Sequence, residues 1–182
     1  MTVCENETFM KKKILKRRIE FNGFHKQNSL VIGNHGNAEL VAKGSFDLSG
    51  PIFCKHSVEF KVTGDGLIRF NGSCHSLIIN VKGDCILDFS KLNSKEIFCE
   101  SIKGKSTILL GPTKVIRIAN LEEEAVLKYT GRPLIIGYSL KGDSVFQSTY
   151  NNRPEAELLK AHPELSKNII YHLINRAETI SA

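Results

Sequence analysis

The 182-residue chain has no stretch of about 18 consecutive apolar residues, which excludes a hydrophobic membrane-spanning helix. No apolar run opens it either. Met10 is followed at once by Lys11, Lys12 and Lys13, so no secretory signal is expected and the sequence reads as cytoplasmic. Tryptophan is missing, and the five cysteines are odd in number and irregular in spacing. That pattern argues against a disulfide framework and for thiols in a reducing compartment. Phosphate-binding loops, serine elbows and dinucleotide fingerprints are also lacking. What remains is a chain 41% hydrophobic and 24% charged, long enough to bury a core without a metal or disulfide staple.

What the sequence does have is a beat. Gly44, Gly64, Gly83, Gly104 and Gly142 recur at a mean period of about 19.6 residues, with Glu123 standing where one glycine is missing. A period near twenty is that of a short parallel β-solenoid rung. Two residues before these positions lie Ala42, Val62, Val81, Ile102, Leu121 and Leu140, and four residues after lie Leu48, Ile68, Leu87, Ile108, Leu127 and Phe146. All twelve are apolar, which chance would give on the order of once in 10⁴ to 10⁵ trials. Both columns must therefore face inward. Strand alternation then turns the small residues Gly66, Cys85, Ser106, Ala125 and Ser144, together with Phe46, to the interior beside the corner. It sends Lys43, Lys82, Lys103 and Lys141 outward on one side of the glycine, and Asp65, Asp84 and Asp143 on the other. These rows compensate one another as a solvated corner.

One outward column is different. Three residues after each beat stand Asp47, Leu67, Ile86, Thr107, Val126 and Val145, so that Leu67, Ile86, Val126 and Val145 form an apolar row on the outside. Such a row marks a contact surface, covered by a second copy of the protein or by another part of the chain.

The units Val62-Thr63-Gly64-Asp65-Gly66, Val81-Lys82-Gly83-Asp84 and Leu140-Lys141-Gly142-Asp143, with Leu127-Lys128-Tyr129-Thr130-Gly131-Arg132-Pro133 before the last, resemble the repeat of the auto-transporter adhesin head GIN domain family. The resemblance covers about residues 30–148. It implies a right-handed parallel β-helix, in a family that is labelled adhesin and has no established activity.

The flanks differ from the repeats. Residues 1–28 carry Lys11, Lys12, Lys13, Lys16, Arg17 and Arg18, either a basic arm for nucleic acid or anionic membrane or a charged first rung, since Ile14, Ile19 and Phe21 interleave as in a strand. Residues 29–150 are the β-helix of six to seven rungs. After Tyr150 the period changes to that of helices. Leu165, Ile169, Ile170, Leu173, Ile174 and Ala177 form one stripe across a C-terminal helical segment, residues 151–182.

Chemistry-bearing residues are few. Cys54, His56, Cys74 and His75 are of zinc-ligand type, and the histidines lie one rung apart. The cysteines sit at different offsets from their histidines, however, and alternation would send them to different faces, so repetition accounts for the pairing without metal. Glu122-Glu123-Glu124 breaks the beat as a turn that tolerates insertion and lacks a neighbouring histidine or cysteine. A carbohydrate-active β-helix enzyme would need converging carboxylates, which this pattern does not supply. Neither catalytic residues, metal nor cofactor are expected. The sequence therefore predicts an interaction or assembly module with itself, another protein or a glycan as partner. The alternatives are a cytosolic scaffold comparable to bactofilin filaments and a basic-arm binder.

Overall fold

A computed structural model of the chain describes residues 17–34, 36–137 and 139–149. These are all-β, without helix, and wind as a parallel solenoid of about six turns. The strands are β1 (Arg17–Gln27), β2 (Ile32–Asn34), β3 (Ala38–Cys54), β4 (Ser57–Lys82), β5 (Cys85–Phe89), β6 (Leu92–Lys103), β7 (Thr107–Leu110), β8 (Val115–Leu121), β9 (Val126–Tyr129), β10 (Leu134–Ile136) and β11 (Val145–Ser148). The helical segment expected over residues 151–182 lies outside the described residues, as do Lys11, Lys12, Lys13 and Lys16.

Every strand pairing is parallel, and the register is the repeat period itself. Leu48, Ile68, Leu87, Ile108, Leu127 and Phe146 face one another in succession through β3, β4, β5, β7, β9 and β11, all fully buried. The companion column pairs Ala42 with Val62, Val81 with Ile102 and Ile102 with Leu121, and ends in a bridge from Leu121 to Leu140. Because β4 is longer than one circuit, the chain at its two ends returns alongside the circuit it has just left: the Asp84 amide donates to the Gly64 carbonyl at 3.1 Å and the His75 amide to that of His56 at 3.0 Å. Each fully buried Leu or Ile contributes roughly 1.5–3 kcal/mol, so the stacked columns dominate the stability.

The strands that carry the companion column supply further inward columns, upstream of the register slip between Ile79 and Asn80. Leu77, Ile97, Ile116 and Ile135 stack in one of them, and Cys99 faces Ile118 in another. In the interior, Phe60 packs against Phe70 and Phe89 with ring centroids 5.5 and 4.8 Å apart. The small residues beside the corner are inside, as their alternation requires, and their hydroxyls are satisfied. Ser106 Oγ donates to the Gly83 carbonyl at 2.7 Å, and Ser144 Oγ to that of Leu121 at 3.1 Å. Tyr129 is buried, with its ring 4.9 Å from that of Phe146.

At the glycine corner the backbone of each circuit presses on the one below. Gly64 has φ +123°, and a Cβ there would collide with the Gly44 carbonyl oxygen. Only glycine meets both demands. The column extends further toward the N-terminus than the sequence beat indicated, because Gly23 of β1 pairs with Gly44. Residues 17–27 are thus a rung rather than a free arm. At the other end Glu123 takes the glycine's place in a turn with φ +64°, and Gly142 stacks on Glu123.

Candidate interaction surface

The outward column that begins at Asp47 runs unbroken through the stack. Asp47 faces Leu67, Leu67 faces Ile86, Ile86 faces Thr107, Thr107 faces Val126 and Val126 faces Val145. At about 4.8 Å per step these side chains form a straight ladder on one wall of the solenoid. Ile86 is 49% exposed and the others are half-buried against their neighbours. The β-branched side chains that dominate the ladder suit a pleated surface, and the alternation that turns Ile68 and its column inward leaves this one to solvent. The parallel outward column on the same wall is mixed, with Ser49, Arg69, Asp88, Leu109, Lys128 and Gln147.

A second exposed apolar patch lies on the strand stretch that leads into the glycine corner. Ile78, Phe98, Arg117 and Ile136 stack in one outward column, and Glu96, Val115 and Leu134 in the next. Phe98 is 36%, Leu134 57% and Ile136 40% exposed. Sequence reasoning missed this patch because the rungs were aligned from the glycine corner. The pairing slips between Ile79 and Asn80, so one register does not carry across the circuit. Aligning Ile97, Ile116 and Ile135 separately would have exposed it.

The charged corner is compensated along its own row rather than between rows. Glu122 sits between two lysines, with Lys103 Nζ at 2.8 Å and Lys141 Nζ at 3.3 Å. Hydrogen bonds from Lys103, then from Lys141, hold the Glu122 carboxyl below the ordinary glutamate value, and the bond to Glu122 raises the Lys103 ammonium. Lys105 pairs with Glu124 at 3.7 Å while its amide donates to Asp84 at 3.3 Å. This edge presents little unmatched charge to an anion.

In the first rung Arg18 is also engaged. Arg18 binds Glu20 at 3.0 Å and Glu39 at 3.7 Å. Glu39 is buried and accepts from Lys61 Nζ at 2.8 Å; Glu59 takes the same ammonium at 2.9 Å, and the two carboxylates raise the Lys61 pKa. Two acids one rung apart resemble a general acid and base pair, but here a lysine joins them.

Cys54 and Cys74 both point into the core, which corrects the expectation that they would lie on different faces. The circuits differ by one residue at the corner, so the offset from the histidine changes without changing the side of the sheet. Cys54 donates its S–H to the Gly36 carbonyl at 3.1 Å. Burial, with a smaller contribution from Cys54, pushes the Cys74 thiol up to about 12, and burial alone does the same to Cys99. His56 and His75 stand exposed on the outside. Thiols and imidazoles are thus on opposite sides of the backbone, and among the described residues no group of three or more His, Cys, Asp or Glu is placed to hold a metal ion.

Among the described residues no helix is long and apolar enough to cross a membrane. Compared with family models, with curated proteins and with solved structures, the chain matches none of them.

Proposed function

We propose that the protein is a non-catalytic interaction module, a rigid β-solenoid whose outward apolar ladder docks on the same ladder of a second copy. The observation that carries this reading is the unbroken outward stack of Leu67, Ile86, Thr107, Val126 and Val145. Its side-chain spacing is set by the rung repeat, so an identical ladder is the surface that matches it step for step. A two-fold axis brings such a patch onto itself and closes the assembly. Engagement of Arg18 and Glu122 by neighbouring charges favours this reading over a phosphate-binding arm or corner.

Light scattering across concentration tests the proposal. The full chain is expected to form a dimer that the Ile86→Lys, Val126→Lys double variant converts to monomer, with the β-sheet circular dichroism unchanged. A wild-type monomer throughout the range would overturn it. Polymers that lengthen with concentration would instead indicate end-to-end stacking of rungs. An unaltered dimer in the double variant would place the contact elsewhere and remove the ladder from it.

A further inference from the structure

A groove of about 400 Å³ opens at the end of the same wall, where β3 and β4 turn the corner beside the loop between β5 and β6. Its volume is within the range of small-ligand sites. We propose that this groove binds an acidic saccharide, a sugar carrying a carboxylate. The inference is independent of whether the apolar ladder pairs.

Charge is the first reason. Arg69 and Lys91 line the groove with Asp88, two cations against one carboxylate. Asp88 is committed locally: its Oδ1 accepts from the Ser90 amide at 3.0 Å and from Ser90 Oγ at 2.6 Å. Among the described residues neither the Arg69 nor the Lys91 side chain has an ion-pair or hydrogen-bond partner. An exposed cation pair of this kind is matched by one anionic group, and the arginine fork suits a carboxylate.

The neutral groups supply the second reason. Ser49 Oγ donates to Asn28 Oδ1 at 3.2 Å, which turns the two N–H donors of the Asn28 amide away from that bond. Asn71 adds a second amide, and Asp88 Oδ2 remains as an acceptor. Ser29, on the rim, has φ +66°. A non-glycine residue in the left-handed region is held there at a cost, and such positions gather at binding sites. Donors and acceptors together are what a ring bearing several hydroxyls requires. A bare inorganic anion would leave them unused. A nucleotide would want an aromatic face, and the one aromatic ring lining the groove, Phe70, is buried.

The test is a titration of isotope-labelled full chain with a uronic acid disaccharide, its neutral counterpart and inorganic phosphate, followed by side-chain amide signals. The uronide is expected to shift the Asn28 and Asn71 amides, with the neutral sugar at least about tenfold weaker. Arg69→Ala and Lys91→Ala should each weaken the uronide about tenfold while leaving the thermal unfolding curve in place. No shift with the uronide, unchanged affinity in both variants, or phosphate binding as tightly as the uronide would overturn the assignment. The last result would reduce the groove to a patch for simple anions.

Discussion

Gly64 and Glu123 occupy the same corner column, yet the first position admits no side chain and the second carries one. In the middle of the solenoid the corner backbone lies at φ between +92° and +133°, from Gly44 to Gly104, and each glycine abuts the carbonyl of the circuit beneath. At Glu123 and Gly142 the φ values are +64° and +68°, the compact left-handed conformation that an L-residue can adopt at modest cost. A Cβ on Gly142 would lie 3.0 Å from the Glu123 carbonyl oxygen, tight but less so than in the central circuits. The lesson is that the glycine beat is enforced by backbone packing in the central circuits. Toward the C-terminal end the turn itself supplies the geometry and the beat loosens.

That contrast breaks most visibly in the middle. Gly64→Ala should cost about 3 kcal/mol or more in urea denaturation, from forbidden φ and collision together, whereas Gly142→Ala should cost roughly half as much. Equal costs would mean that the two corners do not differ. The core should grade in the same way. Leu87→Ala, in a fully buried central position, is expected to lose about 2–5 kcal/mol, and Ile19→Ala in the partly buried first rung about 1 kcal/mol. Glu123→Gly should stabilise the fold by about 1 kcal/mol by relieving the left-handed side chain, read as a higher denaturation midpoint at unchanged slope.

The smallest effect is electrostatic. Glu122 has its carboxyl lowered by Lys103 and Lys141, so the native state binds fewer protons there than the unfolded chain does. Its contribution is present above the unfolded value and fades as the pH falls through the lowered one. Glu122→Gln should therefore narrow the gap between stability at neutral pH and in acid, with the variant and wild type converging at the acid end. A difference that grows in acid would have the wrong sign.

How far the sequence could be read follows from the same contrast. The central circuits repeat their constraints, so Gly44 to Gly104 and the columns of Leu48 and Ala42 announce the coil, and the ladder from Leu67 to Val145 follows by alternation. The first rung was harder to see. Gly23 keeps the beat, but His25 and Gln27 stand where Phe46 and Leu48 stand in the next circuit, and Phe24 is 82% exposed, so the apolar signature dissolves. Phe98, Leu134 and Ile136 were hidden by the slip at Ile79, which no single period can carry across. Cys54 and Cys74 were misplaced because one extra residue at a corner alters spacing without altering facing. The groove could not be read at all: Asn28, Arg69 and the turn from Asp88 to Lys91 come from three separate circuits and share no motif, and only the winding brings them together.

Spin-label distances along the outer ladder test the coil and its surface most directly. In a Cys4→Ser background, labels at Asp47 and Val126 span four steps and labels at Asp47 and Val145 five, so the distances should be about 19 and 24 Å, rising by about 4.8 Å per rung. Distances that fail to increase by one rung spacing between the two pairs would contradict the stacked ladder, and with it the surface proposed to pair.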